Sequence, residues 1–304
     1  MRDWIPIIAG PTAVGKTALG IELAERLDAE IISADSRQIY RGLDIGTAKP
    51  SPSELERVPH HFVDELELTE TYSAGRFQAD AYIRIKEILK RKTRVIVVGG
   101  STLYLHALKH RLADIPDVPS SIREDIAMRL ATEGAEALFG ELLQIDPEAA
   151  ATMDHTKTQR LVRALEVYHA TGRPISSYHR NLEPPPFNFR TFVLNRDRQQ
   201  LYDRINERVE RMLEAGLLEE VRALLRTGIH GSVSPLRTIG YREVIDHLQD
   251  EISYGEMVRR IKRNTRRYAK RQLTWFRRDP DNVWLDADRS LDELADKVLE
   301  PPTH

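Results

Sequence analysis

Gly10-Pro11-Thr12-Ala13-Val14-Gly15-Lys16-Thr17 is the stretch whose reading decides the fold. It matches the spacing G-x-x-x-x-G-K-[ST], follows the apolar run 5–10 and opens the amphipathic run 15–27. A buried strand, a glycine-rich turn and a helix in that order turn backbone N–H groups and a helix N-terminus toward an anion. Lys16 is then placed to reach terminal phosphate oxygens, and the Thr17 hydroxyl to ligate Mg²⁺. The signal is specific for a polyphosphate. It does not say which one.

Outward from the loop, strand and helix patterns alternate. Residues 30–35 form a second short apolar run that ends on Asp35, and 94–100 a third. Between them, 75–92 has helical periodicity, with Phe77, Ala81, Ile85 and Leu89 on one stripe. This alternation predicts an α/β fold, a P-loop NTPase-like parallel sheet flanked by helices. From about 114 to 186 the alternation stops. Helical patterns are punctuated there by Gly134 and Gly172-Arg173-Pro174, and Pro184-Pro185-Pro186 closes the segment before a strand pattern resumes at 190–194. An all-helical insertion domain, 114–188, within an α/β core of 1–113 and 189–304 is the expected organisation. Helices at 198–215, 217–226 and 254–271 follow, then an edge strand at 282–285 and a terminal helix.

Composition narrows the function. The 304 residues are 41% hydrophobic and 30% charged, ordinary for a globular enzyme and against wholesale disorder. With no cysteine, the chain has no disulfides, thiolate zinc sites, iron–sulfur clusters or cysteine nucleophiles. Its apolar runs fall far short of the roughly 20 residues that span a bilayer, and its start lacks signal-peptide anatomy. A cytoplasmic monomer with no membrane partner is expected. Net charge is −2, yet ten of the 45 Lys/Arg fall between Arg259 and Arg278 with no Asp/Glu among them. A basic stripe on an otherwise acidic chain points to an anionic partner such as nucleic acid.

What the loop lacks is also informative. A P-loop ATPase usually carries an Mg²⁺-supporting acid at the end of a second apolar strand. Here the run 94–98 ends in Gly99-Gly100-Ser101, and the acid is Asp35. Strand ends in such a sheet open on a common crevice, so Asp35 faces whatever accepts a group from the bound donor. A carboxylate there suits a general base for a nucleophilic OH or NH, with a turn cap beside Ser33 and Ser36 as the plainer alternative.

Asp35-Ser36-Arg37-Gln38-Ile39-Tyr40 and Asp44-Ile45-Gly46-Thr47-Ala48-Lys49-Pro50, taken with the loop, resemble the bacterial tRNA dimethylallyltransferases, also called isopentenyl-tRNA transferases. Pro59-His60-His61-Phe62-Val63-Asp64, Gln159-Arg160-Leu161-Val162-Arg163-Ala164-Leu165-Glu166, Arg237-Thr238-Ile239-Gly240-Tyr241-Arg242 and the block 267–277 extend the resemblance over almost the whole chain. One departure is Gly99-Gly100-Ser101-Thr102-Leu103-Tyr104, where the family reads G-G-T-G-L-Y. The resemblance implies that residues 10–17 hold the diphosphate of dimethylallyl diphosphate, with Mg²⁺ on Thr17. Asp35 would deprotonate N6 of the adenosine at position 37 of tRNA, next to the anticodon, while Lys16 and Arg208 stabilise the leaving diphosphate. The base must be extruded to reach Asp35. By the same resemblance tRNA is met by Asp35, Ser36, Arg37, Gln38, Ser101, Arg123, Gln159, Arg160, Leu161, Val162, Arg163, Arg237, Gly240, Tyr241, Arg242, Lys270, Arg271, Trp275 and Arg277, the insertion serving the anticodon stem-loop.

On a helix, Arg263, Arg267, Lys270 and Arg271 can form one stripe, with Tyr268 and Trp275 beside it for stacking or packing. His60-His61 lacks a third ligand at recognisable spacing, which favours turn packing over a metal. Three rivals remain at this stage. A small-molecule kinase uses the same loop and carboxylate but needs no basic helix. A prenyltransferase of free adenine nucleotides needs no insertion. A non-catalytic RNA-binding module leaves the loop and Asp35 without a purpose.

Overall fold

The apolar runs become strands of one parallel sheet in a computed structural model that describes residues 4–91, 93–154, 158–180, 182–231 and 233–301. The strands are β1 (Ile5–Ala9), β2 (Ala29–Ala34), β3 (His60–His61), β4 (Arg94–Gly99), β5 (Phe189–Asn195) and β6 (Val283–Asp286), in the order β3-β2-β4-β1-β5-β6. Every pairing is parallel, and the register puts Ala9 beside Gly99 and Val193. Early helices are α1 (Lys16–Leu27), α2 (Pro52–Arg57), α3 (Ala74–Lys90) and α4 (Thr102–His110). The helical segment then supplies α5 (Ser120–Ile145), α6 (Pro147–Ala151), α7 (Thr158–Thr171) and α8 (Ile175–Tyr178). After β5 come α9 (Arg198–Glu214), α10 (Leu217–Arg226), α11 (Tyr241–Leu248) and α12 (Tyr254–Phe276), with α13 (Leu291–Leu299) last.

The core follows from the patterning. Ile8, Leu19, Leu23, Ile31, Ile96, Phe192, Leu194, Ile205 and Ala269 share one buried cluster, so α1, α9 and α12 seat against the central strands. The stripe of α3 shows where a simple i+4 reading drifts. Phe77, Ala81 and Ile85 are buried, but the next buried position is Ile88, and Leu89 is 41% exposed. At 3.6 residues per turn, three successive steps of four overshoot the face, and a step of three restores it. Helix α12 also runs further than 271, to Phe276, because Gln272 and Phe276 continue its buried face.

His60-His61 forms an edge strand rather than a turn. His61 Nε2 lies 2.6 Å from Glu30 and the His60 ring Nδ1 2.8 Å from the Val58 carbonyl. Among the described residues no group of three His, Cys, Asp or Glu is placed to hold a metal.

The chain divides into two compact units, Met1–Lys109 with Pro185–His304, and His110–Pro184. The second is all-helical among its described residues and has its own core of Ile126, Leu138, Leu142, Ala150, Leu161 and Leu165. Gly134 breaks α5 by taking φ 86°, a left-handed conformation that glycine adopts without a side-chain clash. Buried Asp146 braces this unit. Its carboxylate accepts from the N–H groups of Ala149 (3.0 Å) and Ser176 (2.9 Å).

Strand β4, between β1 and β2, ends in glycine for a steric reason. A Cβ on Gly99 would lie 2.2 Å from the Ala34 carbonyl oxygen, and one on Gly100 would lie 2.6 Å from Gln272 Nε2. The middle strand therefore carries no side chain into the crevice. That leaves the loop after β1 and Asp35 after β2 facing each other across it.

Candidate active site

The 10–17 loop takes the conformation its glycines predict. Gly10 (φ 143°) and Gly15 (φ 115°) occupy positive φ, and a Cβ on Gly10 would lie 2.7 Å from the Leu194 carbonyl. Ala13 also takes φ 66°, and its carbonyl accepts from Arg204 Nε at 3.0 Å. Lys16 Nζ donates to the Pro11 carbonyl at 2.8 Å, which holds the ammonium over the loop. Burial, and then the Arg208 guanidinium, lower the Lys16 pKa to about 8, with Asp35 opposing both. The loop is tied down from α12. Gln272, 3% exposed, accepts from the Thr12 N–H (3.0 Å) and donates to the Gly100 carbonyl (2.8 Å). A buried amide with both ends satisfied fixes the loop against the end of β4.

Asp35 stands at the other wall. Its Oδ1 accepts from the Arg37 N–H (2.9 Å) and, more weakly, from the Gln38 N–H (3.4 Å). The turn cap read from the sequence is therefore present. It uses one oxygen, and Oδ2 has no hydrogen-bond partner among the described residues, so the cap orients the carboxylate without consuming it. The next three residues lock the same turn. Ser36 N–H donates to Ser101 Oγ (3.0 Å), Arg37 Nε to Thr238 Oγ1 (2.9 Å), and Gln38 Nε2 to the Ala48 carbonyl (3.0 Å). Ser101 thus joins the end of β4 to this turn. Thr102 is the first residue of α4 and does not take a positive φ, so threonine fits there without strain.

Two cavities meet at this point. One, of about 100 Å³, is walled by Lys16, Thr17, Gly100 and Gln272. The other, of about 310 Å³, is walled by Ser36, Arg37, Ser101, Arg237 and Thr238. Thr12, Asp35, Thr47, Arg208 and Tyr268 belong to both. Arg208 Nη2 donates to the Thr47 carbonyl at 3.4 Å; burial lowers its pKa, and Asp35 opposes that. The loop side carries Lys16, and the larger cavity beyond Asp35 combines Arg37 and Arg237 with an apolar wall of Ile205, Val209, Met212, Ile239 and Ile261. Asp35 stands where the two meet, so a group held on one side can pass to an acceptor on the other.

The remaining blocks hold this geometry in place. Glu220 accepts from the N–H groups of Asp44, Ile45 and Gly46 (3.2, 2.7 and 3.2 Å) and from the Tyr241 hydroxyl (2.6 Å). Lys49, nearly buried, bridges Asp44 and Asp64 and donates to the Tyr40 carbonyl at 2.9 Å. These contacts interlock 44–50 with the segments at 64 and 237–242.

Several residues assigned to tRNA by resemblance fall elsewhere. Leu161 is 1% and Tyr241 0% exposed, so neither side chain can touch an RNA; both are packing residues. Gly240 is buried with its N–H given to Glu243 at 2.8 Å, but it does line the larger cavity. Trp275 is half-buried, edge-on to His106 and Phe276, which favours packing over stacking. Arg123, Gln159, Arg160, Arg237, Arg242, Lys270, Arg271 and Arg277 are exposed; Val162 and Arg163 are half-buried, and Arg163 lies 3.4 Å from Glu166. The basic segment is partly compensated from outside itself. Lys262 pairs with Glu210, and Arg259 and Arg260 with Glu256. Arg263, Arg267, Lys270 and Arg271 are exposed on α12 and make no ion pair among the described residues. Gln272, Thr47 and Glu220 were not expected as site residues, and Tyr268 was expected only to stack or pack beside the basic stripe. The block 267–277 contains Gln272 and Tyr268, whose i, i+4 spacing puts them on one face of α12.

Comparison with known proteins agrees with this geometry. A family profile described as IPP transferase matches residues 38–279. The chain is 57% identical to a tRNA dimethylallyltransferase of Salinibacter ruber over 306 aligned positions, covering 99% of this chain and 94% of the relative. It is 46% identical to tRNA dimethylallyltransferase 1 of Trichlorobacter lovleyi, covering 94% of each. Among solved structures it resembles the tRNA isopentenylpyrophosphate transferase of Bacillus halodurans, with TM-score 0.72, 38% identity, and 98% of this chain and 94% of that chain covered. It also resembles a eukaryotic dimethylallyltransferase acting on tRNA, with TM-score 0.79, 29% identity, and coverage of 94% and 74%.

Proposed function

The chain belongs to the IPP transferase family and its relatives include tRNA dimethylallyltransferases, and on that premise we propose that it transfers a dimethylallyl group from dimethylallyl diphosphate to N6 of the adenosine at position 37 of tRNA. The observation that carries this reading is the meeting of two cavities at Asp35, one walled by the 10–17 loop and Lys16 and the other by Ser36, Arg37, Ser101 and Arg237. Donor and acceptor reach one carboxylate from two sides.

In this reading the 10–17 loop and Lys16 bind the diphosphate, leaving C1 of the prenyl chain toward Asp35. The free Oδ2 of Asp35 takes a proton from N6 as that nitrogen bonds to C1 and the C1–oxygen bond breaks. Lys16 and Arg208 balance the charge that collects on the departing diphosphate. The donor set fits Mg²⁺: Thr17 supplies one hydroxyl, no cage of carboxylates exists among the described residues, and Mg²⁺ is commonly held by few protein ligands plus phosphate oxygens and water. When bound, the ion would neutralise diphosphate charge. The insertion, through Arg123, Gln159, Arg160 and Arg163, and the α12 face of Lys270 and Arg271 would grip the anticodon stem-loop. Among the described residues no helix is long and apolar enough to cross a membrane.

The test is incubation with unmodified tRNA, Mg²⁺ and labelled dimethylallyl diphosphate, with ATP as the competing donor. Label enters tRNA, and ATP is not hydrolysed. Acceptor-dependent ATP hydrolysis would instead identify a kinase.

Two further results are expected. Diphosphate binds best to protonated Lys16, so affinity is full below about pH 8 and declines as pH rises through that value. Titration calorimetry across pH should show this decline in wild type and not in Lys16→Met. Each phosphate contact contributes about −0.7 to −0.9 to the slope of log K against log salt. Neutralising Lys270 and Arg271, or Arg160 and Arg163, should weaken tRNA binding and flatten that slope without changing diphosphate affinity. An unchanged slope in both pairs would make these residues solvated faces only.

A further inference from the structure

Tyr268 is one of the five residues common to both cavities, and none of the roles above falls to it. It lies on α12 one turn before Gln272, whose two hydrogen bonds to Thr12 and Gly100 fix that part of the helix against the loop. The phenol hydroxyl makes no hydrogen bond to any described residue. One side of the ring is already met by Arg271, whose guanidinium carbon lies 5.8 Å from the ring centroid. What the site leaves unengaged is therefore the hydroxyl.

The charges acting on that hydroxyl are those of Asp35, Arg37 and Arg271. Tyr268 and Asp35 line the same two cavities, so the phenol and the carboxylate share the junction at which donor and acceptor meet. Burial first, and then Asp35, push the phenol up to about 12, so at neutral pH it is a proton-bearing donor. Asp35, with Oδ2 open, is an acceptor. A donor beside an acceptor is the complement of one base edge. Adenine presents an N6 amine that donates next to an N1 that accepts, whereas guanine presents O6 and N1–H in the reverse sense. Enzymes that act on extruded bases commonly read this edge.

We propose that Tyr268 is a specificity-determining residue whose hydroxyl donates to N1 of the extruded adenine while Asp35 accepts from its N6 amine. This rests on the transfer reaction proposed above and adds to it the means by which the acceptor base is chosen. Guanine in the same position would set O6 against the Asp35 carboxylate, two acceptors with no proton between them, and would offer the phenol N1–H in place of the acceptor that its O–H meets in adenine. The clash at Asp35 rejects guanine, and the bond from Tyr268 to N1 favours adenine.

The test is a two-by-two comparison. Wild type and Tyr268→Phe are each given tRNA carrying either adenosine or 1-deazaadenosine at the target position, where a C–H replaces N1. Transfer to ordinary adenosine by wild type is the control for the parent reaction; its failure would indict that reaction and not Tyr268. Tyr268→Phe should lower kcat/KM for adenosine by about tenfold, the size of one neutral hydrogen bond, with tRNA affinity unchanged. The deaza substitution should cost wild type a similar factor and cost Tyr268→Phe almost nothing further, because the bond is already gone. Equal losses in both proteins would show that the hydroxyl and N1 do not interact, and the proposal would fall. Indifference of wild type to the deaza substitution would overturn it equally.

Discussion

Asp35→Asn should slow turnover by roughly two or more orders of magnitude while tRNA affinity changes little. The substitution is chosen because the carboxamide oxygen can still accept from the Arg37 N–H, as Oδ1 does at 2.9 Å. The turn that carries Ser36, Arg37 and Gln38 then survives, and only the proton acceptor is lost. Single-turnover transfer to saturating tRNA, with a parallel filter-binding titration, separates the two effects. Near-wild-type turnover would reduce Asp35 to its turn cap. A collapse of tRNA binding would instead place its importance in the loop it organises.

Arg208→Ala should lower the transfer rate by about two to three orders of magnitude, the range for removing a positioned stabiliser of developing charge. Arg208 is half-buried and lines both cavities with Asp35, so its charge acts on the reacting groups with reduced solvent screening. A second consequence follows from its neighbour. Arg208 is one cause of the lowered Lys16 pKa, so its removal lets Lys16 hold its proton to higher pH. Diphosphate binding by Arg208→Ala should accordingly persist above pH 8, where wild-type binding declines. A slow enzyme whose binding profile does not move would mean that Arg208 acts at a distance from Lys16. The paired readout distinguishes a lost charge from a disturbed fold, since a general collapse would weaken binding at every pH.

Much of this site was legible because its signals are local. The spacing from Gly10 to Thr17 compels a particular backbone, and the carboxylate at the end of an apolar run lands on the strand-end crevice of any parallel sheet. Local patterns could not reveal partners distant in sequence. Gln272 contacts Thr12 across 260 positions, and nothing in its surroundings marks it except a place on the buried face of α12. Glu220 reads as an ordinary helix-surface acid until the 44–46 backbone is found wrapped on it. The pair His60-His61 was too short to announce a strand, and only the neighbouring β2 makes it one. Resemblance located blocks correctly as sequence but could not separate side chains that meet solvent from those that pack. Leu161 and Tyr241 sit within such blocks and are buried.

The central claim is that one protein carries a prenyl group from a diphosphate to a single tRNA nitrogen. It is tested most directly by digesting tRNA to nucleosides after reaction with dimethylallyl diphosphate and Mg²⁺, and measuring product mass and position together with diphosphate released. One dimethylallyl group is expected on N6 of the adenosine next to the anticodon, with one diphosphate released per group transferred. Diphosphate released without modified nucleoside, or the same product formed on free adenine nucleotides and not on tRNA, would contradict it.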